Sequence, residues 1–381
     1  MHEFELPEND SPGRRLQPPA VEATALPAHV SMRELVPGPG LPEACFWTLS
    51  CFVVQIVAAI AAVIGFAIYA SLTQGVGVQE ALKNVQKDFG AGLIAIGQAS
   101  FVLYALVAVT LRVGRPWAAK LNLSPIDPLH FVLILVLVIP LAQVSGAFYT
   151  VSSEVWSLIV DSFPMLSVMD ETNAMEMIGK FADKMSLPVM LLLIAVAPAI
   201  AEELIFRGLI GRGLIARWGM VGGIVLTTLL FAAVHLHPAH AFAVIPLGIA
   251  MHILYVATRS FWAPVLLHFA NNAMATLAAK SMKAEELQQA IEGSAEASVP
   301  MIVASFATVF AVLFVLWKTR VQHLQSDGRI WDPGFATVER PPLNLETKVS
   351  RGAAQWRSLA VVGLCVVGFF AAAAMQMQQT P

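Results

Sequence analysis

The chain has 381 residues, 57% of them hydrophobic and only 13% charged, with a mean hydropathy of +0.70. Soluble domains carry roughly a quarter charged residues, so the composition excludes an ordinary soluble protein. A net charge of -3 and a pI near 6.3 argue against nucleic acid as a partner, and three cysteines (Cys45, Cys51, Cys365) without CxxC spacing exclude a disulfide framework and a zinc ribbon.

The first 44 residues contain eight prolines and no basic segment leading into a short apolar core. They read as a disordered, retained cytoplasmic tail, not a signal peptide. Apolar runs then follow at 45–70, 90–112, 129–149, 187–212, 219–237, 239–258, 261–280, 299–317 and 358–376. Each is near the ~20 residues that cross a bilayer as a helix, and too long and uniformly apolar for a barrel strand. The expected fold is all-α, a polytopic transmembrane helical bundle of eight or nine spans, with the lipid bilayer as its first partner.

Lys and Arg collect in alternate loops: Arg112, Arg115 and Lys120; Arg212 and Arg217; Arg259; and Lys318, Arg320, Arg329, Arg340, Lys348, Arg351 and Arg357. The positive-inside rule makes these loops and the amino terminus cytoplasmic. The acidic segment 150–185 and residues 281–298 fall outside, and the proline-containing stretch 318–357 reads as a cytoplasmic linker before a last span within 358–381. Residues 45–185 form accessory helices with the acidic external segment, and 186–317 form the core. The setting expected is a bacterial inner membrane.

The core is where ionisable residues enter oily sequence. In AEELIFRGL, Glu202, Glu203 and Arg207 follow the run VMLLLIAVAPAI. A charge at the centre of a bilayer helix costs at least about 2.5–3.5 kcal/mol on insertion scales. Glu203 and Arg207 are i and i+4 in the favourable order for an ion pair, whereas Glu202 sits about 100° round and faces elsewhere. This suggests Glu203 and Arg207 as an internal brace and Glu202 as a free carboxylate, a general base. Pro198 cannot donate to the Ile194 carbonyl and should loosen the helix just before the acids. The same three charges would also suit the cytoplasmic mouth of a span, where snorkelling side chains are common.

Phe231 and His235 are i and i+4 on the next span, so His235 could share a water with Glu202. His268 and Asn272 share a face deep in another span and suit an oxyanion site, or Asn272 could tie its helix to a neighbour's backbone. Asn271 points about 100° away and reads as structural. His237 and His240 read as loop residues, and His252 as a packing residue.

EELIFR, FAAVH and HFANN resemble, in order, the EExxxR, FxxxH and HxxxN motifs of the CPBP intramembrane proteases, the family of type II CAAX prenyl endopeptidases and bacteriocin-processing or Abi proteins. The resemblance covers roughly residues 186–280. It implies a protease in which Glu202 and His235 activate water while His268 and Asn272 stabilise the oxyanion. The implied substrate is a membrane-associated or lipidated peptide or protein. No HExxH is present; a zinc site would draw on Glu202, His235 and His268, with Glu203 also at hand, and hydrolysis without a cofactor is preferred. The competing expectations are a non-catalytic scaffold or immunity protein that keeps the motif for packing, and an ion-coupled transporter.

Overall fold

Proline and glycine set the limits of the helices. The computed structural model describes residues 38–172, 178–179, 181–182, 184–281, 298–331 and 338–379. The tail up to 37, the acidic Glu176 and Asp183 and nearly all of 281–298 lie outside the described residues. Helix α1 spans Leu41–Gln74, α2 Val78–Arg112, α3 Pro128–Ser162, α4 Leu187–Ala233, α5 Pro238–Thr258, α6 Trp262–Ser281, α7 Val299–Lys318 and α8 Trp356–Gln379. Prolines occupy the first turns of α1, α3, α4, α5 and α7, where a missing N–H costs nothing. At the start of α3 the Asp127 carboxylate also accepts from the Leu129 amide at 3.0 Å.

Seven stretches among the described residues, all but α6, are long and apolar enough to cross a membrane, and the protein is an integral membrane helical bundle. The difference from eight or nine has two sources. Helix α6 carries His268, Asn271 and Asn272, which lower its hydropathy. Helix α4 is a 47-residue stretch that would run about 70 Å if straight, over twice the ~30 Å hydrocarbon core. It doubles back at Gly219, whose φ of 70° and ψ of 177° no helix permits. Close approach follows: a Cβ on Gly223 would lie 2.5 Å from the Ile215 Cα. The runs read as separate spans at 187–212 and 219–237 are thus two antiparallel limbs.

Two further segments differ from expectation. Helix α3 continues to Ser162 and a 3-10 helix occupies Pro164–Thr172, so the first half of the expected external loop is helical. The stretch read as a linker carries strands β1 (Val321–Gln325) and β2 (Thr347–Arg351), paired antiparallel with Val321 opposite Arg351 and Gln325 opposite Thr347. Residues 338–340 dock on the bundle. Asn122 Nδ2 donates to the Val338 carbonyl at 3.0 Å, Arg340 Nε donates to Asn122 Oδ1 at 2.8 Å, and Glu339 pairs with Arg212.

The basic loops therefore meet at one end of the bundle. Arg112 and Arg217 donate to the Gly38 carbonyl at 2.9 and 3.0 Å, and Arg212 donates to the Lys120 carbonyl at 3.0 Å. Their charge is spent on backbone carbonyls and acids at the places where loops must be held together. The most protein-enclosed spans are α4 and α5, half or more of whose central residues are buried against 17% in α1 and α8. Ionisable groups are tolerated in that centre because protein, not lipid, surrounds them.

Candidate active site

The first limb of α4 departs from α-helical winding on both sides of the glutamates. Residues Leu191–Val196 and Leu204–Gly211 are π-helical, flanking the α-helical turn Ala197–Glu203. Pro198 accounts for the first of these, since it cannot donate to the Ile194 carbonyl. That carbonyl is taken instead by Asn272 of α6, whose Nδ2 donates to it at 3.2 Å. Asn272 thus makes the interhelical tie open to it in the sequence; one of its two amide hydrogens is committed and the other is available. Asn271 donates to Asn272 Oδ1 at 3.2 Å and holds that side chain's orientation.

Glu203 and Arg207 form the expected brace. Arg207 Nη1 donates to Glu203 Oε1 at 2.8 Å, with both side chains fully buried. Arg207 Nη2 donates to the Gly248 carbonyl of α5 at 3.0 Å, and its guanidinium lies 4.6 Å from the centre of the Phe231 ring. One cation is thereby tied to the first limb of α4, the second limb and α5.

His268 of α6 completes the group and corrects the expectation that Glu202 and Glu203 face apart. Its Nδ1 lies 3.0 Å from Glu203 Oε1 and its Nε2 3.8 Å from Glu202 Oε2. The ring spans both carboxylates because its nitrogens lie on opposite edges. A carboxylate accepts, so Nδ1 carries a proton and donates to Glu203, leaving Nε2 directed at Glu202. Glu202 Oε2 has no hydrogen-bond partner among the described residues, and its side chain is 17% exposed where that of Glu203 is closed off. Glu203 Oε2 is unpartnered as well, so the two acids differ in exposure: of the two, Glu202 is the one with an opening.

The turn at Gly219 also decides the depth of His235. Glu202 is 17 residues before Gly219 and His235 is 16 after it, about 24–26 Å along each limb. The register agrees, because Gly223 packs on Ile215 and the Phe231 ring stacks edge-on to Phe206 at 5.3 Å. Continued in step, the limbs bring His235 level with Glu202 and Glu203. His235 Nδ1 donates to the Phe231 carbonyl at 3.1 Å, so Nε2 holds the lone pair. The Phe231 ring stands between the two histidines, 5.1 Å from His235 and 6.0 Å from His268.

Several neighbours carry little or no sequence signal. The Gly248 carbonyl is a backbone group and gives none. His240, read as a loop residue, stacks on His235 at 4.9 Å with the rings 16° from parallel. His237 is buried, 3.5 Å from Asp170, which in turn accepts from Trp156 Nε1 at 2.7 Å. His252 is also buried and packs against Gly211. Among the described residues no three His, Cys, Asp or Glu side chains are grouped to hold a metal ion.

Residues 184–274 match a family model described as Type II CAAX prenyl endopeptidase Rce1-like. This segment is similar to that family. The match runs from the start of α4 into α6 and takes in EELIFR, FAAVH and HFANN, so the Rce1-like segment and the polar cluster coincide. It covers about a quarter of the chain. No curated protein and no solved structure matches the chain. Helices α1 to α3, α7 and α8 lie outside the Rce1-like match and are described by their packing alone.

Proposed function

We propose that the protein is an intramembrane endopeptidase that hydrolyses a peptide bond of a membrane-associated or lipidated substrate with a glutamate-activated water. The convergence of Glu202, Glu203 and His268 within the Rce1-like segment carries this reading. Arg207 offsets the charge of Glu203 as a buried ion pair, a form in which ionised groups persist inside a bilayer.

In this mechanism a water lies against Glu202 Oε2, on the side His235 approaches, and hydrogen-bonds to His235 Nε2. Glu202 takes one proton as the water oxygen attacks the peptide carbonyl. The carbonyl oxygen gains negative charge and accepts from His268 Nε2–H and from the second amide hydrogen of Asn272. Collapse breaks the C–N bond, and the proton held on Glu202 passes to the leaving amine. Glu203 holds His268 Nδ1, and Arg207 holds Glu203. No step needs a metal. By the positive-inside rule the basic end of the bundle faces the cytoplasm.

The test is cleavage of a panel of quenched-fluorescent lipidated peptides by purified protein in detergent, comparing wild type with Glu202→Ala and Glu202→Gln, with and without chelator. Activity lost in both variants and unchanged by chelator is the expected result. Chelator sensitivity restored by zinc would replace the glutamate mechanism with a metal one. Cleavage that survives Glu202→Ala would overturn the assignment of the base.

A further inference from the structure

Hydrolysis inside a bilayer needs water at the site, and hydrocarbon does not supply it. The polar side chains of α4 do not stop at Glu203. One turn on is Arg207, and the next position on that face is Gly211, where a Cβ would lie 2.4 Å from His252 Cε1 and 2.8 Å from the Phe206 carbonyl oxygen. The His252 imidazole of α5 fills the place a side chain at 211 would take. The following residue, Arg212, pairs with Glu339 at the basic end. Glu203, Arg207, His252 and Arg212 thus form a polar column through the most enclosed part of the protein.

Beside the column lies a cavity of ≈ 10 Å³ lined by Arg207, Arg212, His252 and Tyr255 together with Ile215, Val256 and Val338, about the space one water centre needs. Arg207 and His252 are each only 1% exposed, yet Arg207 Nε and His252 Nδ1 have no hydrogen-bond partner among the described residues. Glu203 Oε2 is in the same condition one turn higher. Buried polar atoms left in this state beside a cavity of water size mark hydration.

We infer that this column is a water-access route feeding the hydrolytic site from the basic end, with a bound water between Arg207 Nε–H and His252, and that residues 338–340 close its outer mouth. The inference rests on the reading of Glu202 as the base that consumes the water. Val338 lines the cavity from the docked segment, and the Glu339–Arg212 pair holds that segment in place. His252 is a positioning residue here: it holds water and does not touch the substrate.

Radiolytic hydroxyl labelling of the full-length wild-type protein reads bound water directly. His252 should be modified at a rate, corrected for intrinsic reactivity, at least tenfold above Phe206, which is also enclosed but lies in apolar core. Labelling of the two at one rate would overturn the inference without any variant. In cleavage assays His252→Leu, which puts an apolar plug in the column, should lower kcat about tenfold with KM unchanged, and His252→Gln should keep at least half the wild-type kcat. Equal losses in both variants, or a folded His252→Leu protein with wild-type kcat, would reduce His252 to packing. A Glu202→Gln protein that still cleaves, with His252 labelled as expected, would sink the catalytic reading and leave the water route standing.

Discussion

Glu203 and Glu202 are neighbours in sequence, and the structure predicts opposite consequences for removing their charges. Glu203 is fully enclosed, 2.8 Å from the Arg207 guanidinium and 3.0 Å from His268 Nδ1. Glu203→Leu leaves Arg207 as a buried cation without its acid, and breaking a buried pair from one side costs about 3–5 kcal/mol. Arg207→Met strands the carboxylate and should cost a similar amount. The double variant removes both charges and should recover a large part, because neither partner is left uncompensated. Glu202→Gln should change stability by less than about 1 kcal/mol, since the Oε2 it alters has no hydrogen-bond partner to lose. Thermal and denaturant unfolding of the four variants in one detergent, followed by tryptophan fluorescence, gives the comparison. Equal destabilisation by Glu202→Gln and Glu203→Leu, or a double variant no better than the sum of its parts, would refute the division between brace and base.

Three further outcomes are expected. Asn272→Ala should lose the tie to the Ile194 carbonyl that Pro198 leaves free, costing about 0.6–1.7 kcal/mol, the range of interhelical hydrogen bonds in membranes; a larger fall in kcat than this stability loss explains would mark the oxyanion role, and an unchanged kcat would remove it. Gly219→Ala should destabilise by roughly 1–3 kcal/mol, because φ of 70° with ψ of 177° is a backbone region essentially open to glycine alone, and an unfolding curve like wild type would show that the reversal does not depend on that residue. Burial, with Arg259 and Arg340 nearby, lowers the pKa of His323 below its ordinary value near 6.5. Below pH ~6.5 the unfolded chain binds a proton that folded His323 refuses, so stability falls with acidification until the lowered pKa is passed. Docking of the β1–β2 segment should therefore weaken as pH drops below about 6.5, read as a change in Trp331 fluorescence 6.2 Å from the ring, and His323→Phe should flatten that dependence.

Composition and the lengths of apolar runs made the membrane bundle legible without coordinates, because a bilayer leaves a chain few structures to adopt. Local helix geometry likewise predicted the Glu203–Arg207 brace: residues four apart are neighbours on any helix, so no tertiary information was needed. Pro198 signalled loosening just ahead of the acids for the same local reason. The sequence could not say what would take the Ile194 carbonyl, since the donor, Asn272, lies 78 residues away.

Tertiary structure decided the rest. Helical spacing turned Glu202 away from Glu203, but His268 reaches both from another helix with opposite edges of one ring. Packing of the two limbs of α4 about Gly219 placed His235 level with the acids. Residues 318–357 are polar and proline-containing, which by composition reads as a solvated linker, yet their backbone and charges have partners at Asn122 and Arg212 on distant parts of the chain. Sequence by itself determined which residues could not be left in lipid and which neighbours on one helix could satisfy them. The meeting of groups from α4, α5 and α6 was fixed by long-range packing, because hydrogen bonds and ion pairs depend on distances that spacing along a single helix does not define.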